Sequence, residues 1–277
     1  MNGLPRVIVL STLALLITGL AAGLLWWQTG NPVWIRLFFS YPGALFFVGA
    51  SLLQVYLSFR CAALFSSGDL LRPAWFLIAF SGLARLAGDI LRLFGRETFS
   101  PLFSPVSMLS LAFGLYRVLR ACRQNGIFGQ LRLSDSLLIG PVVVYTVDFF
   151  ATVVLASGSQ SATSWVQRVL SWTSDPLLCV LLIQAILIRR SVANMGWGLI
   201  ARCWISFTAA IFATSLGDVG LWAWSKGYLP PPLETASWHV WFVASAAFAL
   251  GPAYQLQAML HATVDDVRAT AEEFAKV

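Results

Sequence analysis

The sequence predicts an all-α polytopic membrane protein, with eight transmembrane helices in a tandem parallel 4+4 repeat and a short C-terminal cytoplasmic helix. Three observations predict it. Hydrophobic residues make up 58% of the 277 and charged residues 11%, with a mean hydropathy of +0.76. A water-soluble domain of this length cannot hide so much apolar surface. Eight segments reach the roughly 20 apolar residues that cross a bilayer: about 6–27, 42–65, 73–95, 103–121, 135–156, 176–194, 198–224 and 237–260. A Gly-Asp pair at 88–89 recurs at 217–218, 129 residues further on.

The first segment ends in WWQTG without a small-residue cleavage site, so it reads as a retained helix and not a signal peptide. The later segments are separated by GNP, SGDLLRP, GRETFSP, RQNGIFGQLR, SGSQSATS, ANMG and KGYLPPPLE, clusters of Gly, Pro and polar residues that favour turns. The second and sixth segments open at Pro42 and Pro176, and their ends carry Arg60 and Arg189, again 129 apart. The third and seventh carry the Gly-Asp pairs. Residues 1–130 and 131–261 therefore read as two copies of one four-helix unit. An even number of spans per copy gives both the same orientation.

Charge sets the topology. Arg6, Arg60, Arg72, Arg117, Arg120, Arg123, Arg132, Arg189, Arg190, Arg202, Arg268 and Lys276 fall on one side, against Arg36, Arg96, Arg168 and Lys226 on the other. The excess places both termini in the cytoplasm of a bacterial inner membrane. The net charge of +6 is thus a membrane-topology signal and does not point to nucleic acid. Trp26, Trp27, Trp34, Trp165, Trp172, Trp222, Trp224, Trp238 and Trp241 gather at the outer ends, as an interfacial belt does. In residues 262–277 the spacing of Leu260, Val264, Val267, Ala271 and Phe274 is that of an a/d seam. It can join a protein partner, form a homodimer, or pack on the protein's own membrane domain.

Two intramembrane aspartates are the candidates for function, because an ionised carboxylate in hydrocarbon must face the bundle and find a partner. Asp89 lies between Arg85 and Arg92 on one helix face and reads as a self-neutralising structural cluster. Asp218 has Thr214, Leu221 and Trp222 as helical neighbours, so its partner comes from another helix. A crevice of Tyr145, Asp148, Asp218, Trp222 and His239, opening outward, is the expected ligand site. Other chemistries are excluded. The only lysines, Lys226 and Lys276, lie outside the spans, so a mid-membrane Schiff base does not fit. His239 and His261 are about 33 Å apart along a helix and cannot share one haem. HExxH, Walker A, GxSxG and paired CxxC motifs are absent. Cys61, Cys122, Cys179 and Cys203 read as free thiols. No metal or cofactor is expected.

The stretches LRLSDSLLIGPVVVYTVDFF, SDPLLCVLLIQAILIRRS and WISFTAAIFATSLGDVGLWAWSKGYLPPPLETASWHVWFVASAAFALG resemble the multi-helix integral membrane sensor region of bacterial signalling proteins, which precedes GGDEF, EAL or histidine-kinase output domains. The shared elements are an Asp just before one helix, an Asp-Pro opening the next, arginines ending it, a Gly-Asp late in the third, and a Gly/Pro-rich loop before the fourth. No output domain follows the tail, so the resemblance implies a stand-alone module. The chain also resembles the eight-helix lysoplasmalogenase-like family, which carries a Gly-Asp pair late in a helix. That likeness implies a lipid hydrolase using two buried carboxylates as acid and base. The leading expectation is a non-catalytic sensor or scaffold that binds a ligand or partner in the outer leaflet, contacts membrane lipid, and anchors through its C-terminal helix. The alternative is an accessory subunit of a larger membrane complex, with protein, lipid or pigment contacts.

Overall fold

The computed structural model describes residues 3–94, 102–127, 129–155, 162–193, 198–228 and 234–274. Among them there are only helices, as the apolar periodicity requires: α1 Leu4–Thr29, α2 Val33–Phe38, α3 Ala44–Leu64, α4 Leu71–Leu93, α5 Phe103–Gln124, α6 Ser136–Leu155, α7 Ala162–Ala193, α8 Leu199–Ser225 and α9 Glu234–Phe274. Five helical stretches among the described residues are long and apolar enough to cross a membrane: Leu4–Thr29, Val33–Leu64, Leu71–Leu93, Pro176–Ala193 and Leu199–Trp224. A multi-pass membrane protein follows.

Local chemistry sets the boundaries. Pro5 sits in the first turn of α1, where its missing N–H costs nothing. Gly30 ends α1 in the left-handed region at φ 66°, its N–H bonded to the Trp26 carbonyl at 2.8 Å. The Asp69 carboxylate accepts the Leu71 N–H at 2.7 Å and starts α4.

Three expectations need correction. Pro42 lies inside a wide π turn, Phe39–Gly43, which joins α2 to α3. The widened turn takes in a residue with no N–H without breaking the rod. Pro176 does not open its helix, because α7 already begins at Ala162 and runs through it. The C-terminal tail is not a separate helix, since α9 continues unbroken to Phe274. Leu260 packs against the main core. The side chains of Val264, Val267, Ala271 and Phe274 lie outside the described residues.

Six helices close into a ring: α3 on α4, α4 on α5, α5 on α7, α7 on α8, α8 on α9, and α9 back on α3. α1 leans on α9 from outside, and α6 on α7. The α1 seam is Pro5, Ile8, Thr12, Leu15 and Gly19, a three-four spacing that leaves the other faces for lipid. Hydroxyls fasten α4 to α5: Ser107 Oγ donates to the Ser81 carbonyl at 2.9 Å and Ser110 Oγ to that of Leu77 at 2.8 Å. α3 and α9 run in the same direction. Phe47 meets Phe242 with ring centroids 4.7 Å apart, and further along both helices the Cys61 thiol reaches the Pro252 carbonyl at 3.4 Å.

Inside the ring Trp75 of α4 faces Trp204 of α8 at 6.2 Å, and Phe207 touches both. Trp75 and Trp204 are also 129 residues apart. Below this aromatic plug, outside the apolar spans, Asp135 is 2% exposed and receives Arg190 at 2.7 Å, with Arg189 at 3.7 Å. It also accepts the Arg132 N–H at 2.8 Å. Burial would lift this carboxyl; the bond from Arg190, the backbone N–H and the charges of Arg190 and Arg189 outweigh that and hold it below the usual carboxylate range. Gly129 N–H adds a bond to Ser191 Oγ at 2.8 Å. The segment before α6 is thereby tied to the end of α7.

Candidate functional site

Along α4, Arg85, Asp89 and Arg92 stand at positions i, i+4 and i+7, on one face. Along α8, Thr214, Asp218 and Leu221 repeat those positions 129 residues later. Both faces turn to one cavity of about 680 Å³. Phe103, Ser104, Ser107 and Met108 of α5 wall it on one side, Trp238, Trp241, Ala244 and Ser245 of α9 on another, and Phe47 of α3 closes it. The cavity therefore sits inside the ring, bounded by five of its six helices. Asp89 is fourteen residues beyond Trp75, about 21 Å along α4, which places the aromatic plug and the cavity at opposite ends.

The carboxylate of Asp89 accepts a hydrogen bond from Ser51 Oγ of α3 at 2.7 Å. Arg85 lies flat on the Phe248 ring of α9, its guanidinium carbon 3.8 Å from the centroid. This close stacking holds the cation against the α9 wall. Arg92 is exposed at the rim. Among the described residues neither arginine reaches salt-bridge distance of Asp89. The self-neutralising cluster expected of Arg85, Asp89 and Arg92 is thus replaced by a polar wall whose members are held by separate partners.

The glycine of the second Gly-Asp pair has a packing reason. A Cβ on Gly217 would lie 2.3 Å from Trp241 Nε1 and 2.5 Å from its Cδ1. Only a bare backbone lets this indole cross α8, donate to the Thr214 carbonyl at 3.4 Å and stand edge-on to Trp238. At Gly220 the intruding atom would be Ser237 Oγ, at 2.7 Å.

The expected crevice is divided between places. Asp218 is a cavity residue, but Tyr145, Asp148, Trp222 and His239 are not among its walls. Tyr145 is buried and meets the Trp222 ring edge-on at 6.0 Å, between α6 and α8. Asp148 is exposed, three residues further along α6. His239 turns to the other side of α9, into an aromatic box. Its Nδ1 bonds to the Thr235 carbonyl at 2.6 Å, Phe38 stacks on it at 6.2 Å, and Phe39 and Phe242 meet it edge-on. Gly19 of α1 seals the Nε2 side, where a Cβ would come within 2.4 Å.

Sequence reasoning missed Ser51, Phe47, Phe248, Trp238 and Trp241 as neighbours of the carboxylates. Counting every outer tryptophan as belt hid the last two. Gly217 was the available signal, because a glycine in mid-helix marks a close approach. Comparison of the chain with known protein families, with curated proteins and with solved structures finds no match.

Proposed function

We propose that this protein is a non-catalytic, multi-pass membrane sensor or scaffold module. It has eight spans in two parallel four-helix copies, lies in a bacterial inner membrane with both termini cytoplasmic, and binds a ligand in the cavity between its copies. The observation that carries the reading is the convergence of Asp89 and Asp218 on one cavity, each from the same position of its helix.

Exchanging α3 with α7, α4 with α8 and α5 with α9 maps the α3–α9 contact onto α7–α5, which supports the repeat. The Trp75–Trp204 pair is the self-contact expected where a two-fold relation passes between α4 and α8. The outer helices depart from that relation: α1 contacts α9, whereas α6 contacts α7. A relay is supported by α9, which carries Trp238 and Trp241 at the cavity and continues as one rod to Phe274. Occupancy that shifts these indoles moves the same helix that emerges at the tail.

The test is purification in a mild neutral detergent, followed by native mass spectrometry of everything retained. The wild-type chain keeps a small molecule that Asp218→Asn loses while remaining folded. A chain that carries nothing and gains no thermal stability from any amphiphile refutes the reading. A stoichiometric protein partner would establish the accessory-subunit alternative instead. The convergence of two carboxylates is also what a lysoplasmalogenase-like hydrolase needs, and turnover of a lysoplasmalogen by the purified chain alone would establish that activity.

A further inference from the structure

The cavity is charged unevenly. Its α4 wall carries two guanidinium groups and one carboxylate, and its α8 wall carries a carboxylate alone. Asp89 already accepts from Ser51, and Arg85 is stacked on Phe248. Among the described residues neither Arg85 nor Arg92 donates to a protein acceptor. Guanidinium N–H groups at the edge of a low-dielectric cavity call for an acceptor, and a planar oxyanion meets them in pairs.

A second feature points to the same spot independently. The cavity wall formed by Phe103, Ser104 and Ser107 is the first turn of α5, a 22-residue helix whose N-cap, Leu102, has no side-chain cap. Its leading N–H groups and the positive end of its dipole face the arginine side. The remaining surface there is apolar, from Phe47, Met108, Leu221 and Trp238. Such a surface suits a hydrocarbon body and not a hydrated ion.

We propose that Arg85, Arg92 and the N-terminal turn of α5 form an oxyanion subsite, and that the cavity takes a single-chain anionic amphiphile whose phosphate or carboxylate lies there and whose chain lies among the aromatic walls. The proposal rests on the ligand-binding reading above and deepens it.

The test uses the full chain in a neutral maltoside detergent, with unfolding followed by the fluorescence of its 12 tryptophans. Dodecyl phosphate raises the wild-type Tm by about 5 °C near saturation. Arg92→Gln, at the exposed rim, removes most of that shift. Arg36→Gln, an exposed charge on α2, keeps it. Native mass spectrometry gives the parallel count: dodecyl phosphate stays on the wild type and on Arg36→Gln but not on Arg92→Gln. Inorganic phosphate at equal concentration gives no shift; an equal shift would assign the site to a free oxyanion and overturn the amphiphile. A dodecyl phosphate shift that survives Arg92→Gln overturns the subsite. Stabilisation by dodecyltrimethylammonium and not by dodecyl phosphate also overturns it, while leaving the ligand-binding reading standing. Failure of every amphiphile overturns both.

Discussion

Gly217→Ala tests whether the Gly-Asp pair exists to seat Trp241. The added methyl would stand 2.3 Å, 2.5 Å and 3.0 Å from Nε1, Cδ1 and Cε2 of that indole, and no real Cβ tolerates the first two. The methyl cannot move, because the α8 backbone fixes it, so Trp241 must swing away. It would lose its bond to Thr214 and its edge contact with Trp238. Overpacking of this kind costs about 1–3 kcal/mol, and alanine returns up to about 1 kcal/mol of helix propensity. A net loss of about 1–2 kcal/mol remains, which lowers Tm by several degrees in a chain of this size. Gly49→Ala is the matched control, because it lies on an exposed face of α3 with nothing within 4 Å of the new methyl. Thermal unfolding of both variants in the same detergent decides the matter. Gly217→Ala unfolding at or above the temperature of Gly49→Ala would refute the packing argument.

Asp135→Asn should destabilise by about 1–3 kcal/mol, because it leaves the partly buried Arg190 without its charge partner. Since the folded protein holds this carboxyl below its usual range, its contribution is complete above about pH 4 and is lost as pH falls through the folded value. The wild type should therefore lose more stability than Asp135→Asn when unfolding is compared at pH 7 and pH 3; equal losses would exclude the linkage. Trp204→Ala, at a site 4% exposed against Trp75 and Phe207, should cost about 3–5 kcal/mol in thermal or denaturant unfolding. A cost under 1 kcal/mol would mean that the aromatic plug is not packed as described. Gly19→Ala should loosen α1 from α9, because its methyl would strike His239 Nε2 at 2.4 Å and Phe38 at 2.8 Å. Faster proteolysis or amide exchange in α1 is the readout, and an unchanged α1 would contradict the contact.

Composition and periodicity alone established a helical membrane protein, because a bilayer permits few other ways to satisfy the backbone. Helix limits were legible where local chemistry marks them, as at Pro5, Gly30 and Asp69. They were misread at Pro176 and around Leu260, where a proline inside a buried helix and a change from apolar to charged residues both imitate an ending. The 129-residue spacing singled out Asp89 and Asp218 but could not say that they face each other. That depends on how six helices close into a ring, and the closure rests on contacts between residues far apart in the chain, such as Phe47 with Phe242 and Trp75 with Trp204. His239 shows the converse. It shares a helix with two cavity residues, yet its angular position turns it into a different aromatic box. Linear spacing determines which groups share a face, and only tertiary packing determines what that face meets.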